Sequence, residues 1–233
     1  DVSNNTTNSL INGLSNKVNE SIQTFITGNA NTSINSDNSI INGLSNISHN
    51  SNQNAVFGQS NDVSNNTTNS LINGLSNKVN ESVQTFITGN DNTSIKNVNS
   101  ILSGESNTLN NGSNNTIGGK SNDISNNINS IISGLSNKSH NSNQNAVFGQ
   151  SNDISNNINS IVFGHTNTSN DSLNNVIGGN LNDVSNNTIN SLITGINNKS
   201  TENEQILIAG DKNEIKEGIN SLIIGISNEN INI

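Results

Sequence analysis

Apolar and polar positions along the chain resolve into one short phrase repeated to the end: two adjacent apolar residues, one variable residue, then glycine, as in Leu10-Ile11-Asn12-Gly13. With glycine as origin, Gly13, Gly28, Gly43, Gly58, Gly74, Gly89, Gly104, Gly119, Gly134, Gly149, Gly164, Gly179, Gly195, Gly210 and Gly225 follow one another at fifteen residues, except for two steps of sixteen. Two positions before each stands Ile, Leu or Val: Ile11, Ile26, Ile41, Val56, Ile72, Ile87, Leu102, Ile117, Ile132, Val147, Val162, Ile177, Ile193, Ile208 and Ile223. Three positions after each stands asparagine: Asn16, Asn31, Asn46, Asn61, Asn77, Asn92, Asn107, Asn122, Asn137, Asn152, Asn167, Asn182, Asn198, Asn213 and Asn228. A register this strict means one supersecondary unit stacked on copies of itself. The expected fold is all-β: a parallel β-solenoid or β-roll of about fifteen coils, forming a single repeat domain over residues 1–233.

Within a coil the sequence predicts two short strands. One precedes the glycine, as in Asn38-Ser39-Ile40-Ile41-Asn42. Gly43 and the polar residues after it predict a corner, because glycine and asparagine tolerate positive φ. The asparagine three after the glycine is read as a left-handed turn residue in preference to an inward-facing ladder. A weaker second strand carries Val18, Val63, Val79, Leu109, Ile124, Ile154, Val184 or Ile215 five after the glycine, replaced elsewhere by Ser48, Ser139, Ser169 or Ser200. A polar return such as Ser125-Asn126-Asn127-Ile128-Asn129 closes the coil. Helix is disfavoured, since Asn, Ser, Thr and Gly compete with helical hydrogen bonding and no 3.6-residue period appears.

Successive strand residues point to opposite faces. The column three before the glycine therefore faces away from the core column, yet it too is apolar: Leu10, Phe25, Ile40, Leu71, Phe86, Ile101, Ile131, Ile161, Leu192, Leu207 and Leu222. Both faces of this sheet favour leaving water. A fifteen-residue coil has no further layer to cover the second face, so another chain, or another turn of the same fibre, is expected there. These residues are the candidate oligomer face, and the expected partner is the chain itself, as a homo-oligomer or filament.

Composition narrows the class. With 28% hydrophobic residues, five Phe and no Trp, Tyr, Met, Cys or Pro, the chain has too little bulk for a globular core. Disorder is the rival reading of such a composition, and the phased apolar column argues against it. A net charge of −9 without a single Arg argues against nucleic acid. No disulfide framework is available, and no apolar run in this segment approaches a membrane span. Asp1 falls in mid-repeat, which suggests a segment of a longer or processed chain. Asp1 to Asn29 returns almost letter for letter as Asp62 to Asn90, and Ser48 to Asp62 returns as Ser139 to Asp153, so length is the quantity that duplication varies.

Chemistry-bearing residues are sparse. His49, His140 and His165 have no recurring acidic partner, and Asp62, Asp123, Asp153 and Asp183 read as exposed turn residues in non-adjacent coils. Gly118-Gly119 and Gly178-Gly179 lack any nucleotide-loop context. No catalytic, cofactor-binding or metal residue is assigned. Residues 201–218 hold a cluster of charge, Glu202, Glu204, Asp211, Lys212, Glu214, Lys216 and Glu217, read as a polar cap or a transition to a following domain.

The repeat resembles the YadA-like head repeats of trimeric autotransporter adhesins, whose signature is Asn-Ser, small aliphatics and Gly. The matching stretches are Asn8-Ser9-Leu10-Ile11-Asn12-Gly13, Asn99-Ser100-Ile101-Leu102-Ser103-Gly104, Asn129-Ser130-Ile131-Ile132-Ser133-Gly134, Asn159-Ser160-Ile161-Val162-Phe163-Gly164 and Asn220-Ser221-Leu222-Ile223-Ile224-Gly225. In that family the residue two before the glycine is commonly Ala and the one before it Ile, whereas here the first is always bulky and the second often polar. The resemblance implies a left-handed β-roll that trimerises about a threefold axis and acts as a surface adhesin or fibre tip, outside the cell or on a virion. The functional expectation is thus a structural and adhesive extracellular fibre element with an unidentified surface ligand. The competing expectation is an ice- or carbohydrate-binding solenoid, against which Thr24 and Thr85 stand alone where Thr-x-Thr ladders would recur.

Overall fold

The computed structural model describes residues 2–3 and 6–231, with side chains to residue 229. Among these residues every regular element is a strand and none is helical. The chain divides into two compact units, Asp1–Asn114 and Asn115–Ile233, each a parallel β-solenoid built on the same coil, and the repeats together make about fifteen coils.

Each full coil contributes a five-residue strand that runs one residue past the glycine, such as Ile40–Leu44, and a three-residue strand, such as Ile47–His49. Equivalent strands of successive coils pair in parallel and in register. Ile72 faces Ile87 and Gly74 faces Gly89 in the first unit; Ile132 faces Val147 and Gly134 faces Gly149 in the second. The polar return is more than a connection. It carries a third ladder of single bridges, including Val83 to Val98 and Ile158 to Leu173, so the coil has three sides where the sequence predicts two strands.

Three left-handed residues separate those sides. After Gly43 they are Ser45 (φ 58°), Asn50 (φ 49°) and Gln53 (φ 59°). The glycine itself has φ 130°, and a Cβ there would lie 1.8 Å from the carbonyl oxygen of Gly58 in the next coil. Only glycine fits where two backbones approach so closely. The two sixteen-residue steps insert their extra residue at the second corner, where Asn65 and Asn66, and again Asn186 and Asn187, are both left-handed. A threonine follows each widened corner, and its hydroxyl donates back across it: Thr67 Oγ1 to Ser64 O at 2.8 Å, Thr188 Oγ1 to Ser185 O at 3.0 Å.

The asparagine column corrects the turn reading. The left-handed residue is its predecessor (Ser15, Ala30, Ser45, Ser60), and the asparagine points into the coil, where Asn31, Asn46, Asn61 and Asn107 are fully buried. Two further inward columns, eight and eleven after the glycine, hold Ser, Thr or Asn in most coils, as at Ser36 and Ser39 or Asn157 and Ser160. Their chemistry follows from backbone accounting. A residue just past a corner turns its N–H toward the interior, and a buried N–H must find an acceptor. The side-chain oxygen one coil earlier supplies it: Ser21 Oγ accepts from Ser36 N at 3.1 Å, Ser70 Oγ from Thr85 N at 3.1 Å, and Asn145 Oδ1 from Ser160 N at 2.8 Å.

Aliphatic burial is correspondingly thin. The column two before the glycine is fully buried from Ile26 to Ile208, with Ile223 7% exposed and Ile11 half-buried at the first coil. The residues from Val18 to Ile215 five after the glycine are buried as well, as are the serines that replace them. Each coil thus buries only one or two aliphatic side chains, for example Val56 with Val63, or Ile41 with Ser48 in the second place.

Candidate functional site

The long-strand side is set apart by what it lacks. Its outward positions are those three and one before the glycine and the one after it; the first two hold no charged residue in any coil, and the third holds Glu105, Lys120 and Asp211 among Leu, Ile, Asn, Gln and His. At the first of these, Leu10, Phe25, Ile40, Phe86, Ile101, Ile131, Ile161, Leu192 and Leu222 are 39–66% exposed, while Leu71 and Leu207 are half-buried. The second holds Asn, Thr, Ser, Gly, Ala or Ile, and Phe at Phe57, Phe148 and Phe163. Phe163 lies along the stack over Gly178, where a Cβ would come within 2.2 Å of its Cζ. The ring fills the gap that the missing side chain leaves, which keeps this face level.

The short-strand side is the opposite in character. Its first outward position sets opposite charges side by side at several rungs: Asp62 faces Lys78, Lys138 stands between Asp123 and Asp153, and Lys199 between Asp183 and Glu214, while Glu214 also faces Glu229. The four aspartates open short strands and do not lie in turns, as the sequence suggested; Asp123 and Asp153 are exposed, Asp62 and Asp183 half-buried. Lys199 Nζ reaches Glu214 Oε1 at 2.9 Å. Burial pushes the Asp183 carboxyl above its ordinary value, with Lys199 pulling it partly back. The Lys199 ammonium is raised by its hydrogen bond to Glu214 and by that carboxylate's charge, with Asp183 adding less.

The third side carries Ile22, Val98, Ile128, Ile158 and Ile219 outward, and it carries the carboxylates Asp37 and Glu204 without a cation in the same column. At residues 201–218 the coil continues unbroken, with strands Leu207–Asp211 and Glu214–Lys216 paired to their neighbours on both sides.

The remaining polar groups form local contacts. His140 Nδ1 is 2.6 Å from Ser125 Oγ, and His165 Nδ1 is 2.7 Å from Thr166 Oγ1. His49 lines a shallow depression with Thr32, Ile47 and Asp62. Among the described residues no three His, Asp or Glu side chains come together as a metal site would require, and no helix is long and apolar enough to cross a membrane. An open groove in the second unit follows the edge of the apolar side, between Asn174, Asn190 and Gln205 and the rib Val176, Leu192 and Leu207.

No family model and no curated protein matches the chain. Among solved structures, a provisionally assigned acetyltransferase from Desulfovibrio desulfuricans G20 aligns over 90% of this chain and 66% of its own, at 8% identity and a TM-score of 0.19. The polySia-specific acetyltransferase NeuO aligns over 97% of this chain and 79% of its own, at 8% identity and a TM-score of 0.10. At these scores neither bears on the activity of this chain.

Proposed function

We propose that the chain is a non-catalytic structural element, an adhesive fibre segment that gives length by repetition and assembles with other copies of itself on an extracellular surface. The carrying observation is the long-strand side, on which an aliphatic rib is open to water and no charge interrupts it. Patches of this kind mark contact surfaces when they exceed a few hundred Å². The near-identical duplications support a role in which coil number, and so reach, is what varies. The resemblance of the Asn-Ser-aliphatic-Gly phrase to adhesin head repeats supports the extracellular and adhesive part, with a trimer as the implied assembly. Electron microscopy of the purified chain, combined with mass measurement, tests the proposal. Multi-chain assemblies are expected, and particles of one chain at every concentration would contradict it.

A further inference from the structure

We infer that the long-strand side packs against the same side of a second copy, like on like, so that the basic assembly is a face-to-face pair of chains. This rests on the self-association proposed above, and takes a pair of chains in place of the trimer that the resemblance implies. The choice follows from where the charges lie. Set against the short-strand side of a neighbour, the apolar face would bury Lys78, Lys138 and Lys199 with their carboxylate neighbours. Set against the third side, it would bury Asp37 and Glu204 with no cation opposite. An ion buried without a partner costs several kcal/mol, and even a paired one seldom repays its desolvation. The long-strand side meeting itself brings together two surfaces with no charge in the two outward columns before the glycine, and the column after it adds only Glu105, Lys120 and Asp211. For a chain of net charge −9 this is also the approach that brings the fewest like charges together.

Apolar exposure recurs along the side. In the second unit, exposed Ile, Leu and Phe side chains run from Ile131 and Leu135 to Leu192 and Ile196, and each added coil extends the side toward the ~800 Å² per partner that a stable interface takes. Parallel sheets are ordinarily covered on both faces, and stacked sheets pack about 10 Å apart. Glu105, Lys120, His165 and Asp211, one residue past the glycine, would form the polar rim of the contact.

The absence of native cysteine allows single-site spin labelling of the full chain. A label at Ser133→Cys, on the long-strand side, is expected to be immobilised in the assembly, and one at Thr168→Cys, on the short-strand side, to stay mobile. Adding Ile161→Lys should free the first label and halve the measured mass with the β circular-dichroism signal retained, while Ile158→Lys on the third side should leave the pair intact. If Ile161→Lys unfolds the chain, the contrast between the two labels in the otherwise unaltered protein still decides. An assembly in which the Ser133→Cys label is mobile, or which Ile158→Lys dissolves, overturns the like-on-like arrangement and leaves the proposed function standing. A chain that never associates overturns both.

Discussion

Asn46 binds one oxygen atom of Asn31 twice: its backbone N–H donates to Asn31 Oδ1 at 3.0 Å and its side-chain amide donates to the same atom at 3.1 Å. Asn46 Oδ1 is held in turn by Asn61, through N at 3.1 Å and Nδ2 at 3.0 Å. Its amide also reaches Gly58 O at 2.8 Å, so each asparagine ties together three successive coils. A buried ladder of this kind is expected to hold register as firmly as the aliphatic column does.

Asn92→Ala tests that expectation. The change removes the acceptor for Asn107 N and Nδ2, and the donor to Gly104 O and Thr88 O. Stranding several buried groups should lower unfolding stability by about 2–4 kcal/mol. Exposed Asn90→Ala should change it by about 0.5 kcal/mol or less. Urea titration of both variants is the measurement, and equal midpoints would deny the ladder its role.

Glycine and its left-handed neighbour predict opposite outcomes. Gly89 has φ 109°, and a Cβ on it would stand 2.0 Å from Gly104 O. Gly89→Ala should therefore cost more than about 3 kcal/mol. Ser76 is left-handed at φ 57°, a conformation that glycine adopts freely. Ser76→Gly should be neutral or stabilising by up to about 1 kcal/mol, as read from the midpoint of thermal or urea unfolding.

How much of this was legible in the sequence depends on what each residue type can signal. Gly74 and Ile72 announced their positions because only glycine tolerates that backbone and only a branched aliphatic fills that slot, so their spacing is almost noise-free. Asn77 gave its spacing but not its direction, since asparagine serves equally as a left-handed corner and as an inward acceptor. Ser70 and Ser82 were hidden altogether, because hydropathy counts serine as solvent-facing while the coil uses their oxygens to receive the buried N–H groups of Thr85 and Asn97. A usable signal was present: the column from Ser21 and Ser36 to Asn203 and Gly218 contains only Ser, Thr, Asn and Gly, and never a charge. The rib from Leu10 to Leu222 was readable as outward and apolar. That its flanking column is equally free of charge becomes meaningful only once the three sides are known.

The charge ladder makes a third prediction. Lys138→Glu places three carboxylates in line at Asp123, residue 138 and Asp153. Like charges on adjacent strands oppose pairing, so stability should fall by about 1 kcal/mol or less at low salt. The loss should shrink toward zero near about 1 M salt, where screening is complete within a few Å. A loss independent of salt would point to packing.

Asp183 sets a pH dependence. Burial raises its folded-state value above the ordinary 3.8. The folded chain therefore holds this proton more tightly than the unfolded one. Its contribution is fully present below the unfolded value and is lost as pH rises through the folded one. Asp183→Asn should remove that slope, making the variant relatively more stable at neutral pH than at pH about 3. Unfolding midpoints at the two pH values check this, and an unchanged difference between variant and parent would contradict it.

Sedimentation equilibrium of the full chain across salt concentration tests the central claim most directly. A contact built on a mainly apolar side should give a mass that is a multiple of 24.5 kDa and does not fall between about 0.05 M and about 1 M salt. A single-chain mass throughout, or assemblies that salt dissolves, would contradict it.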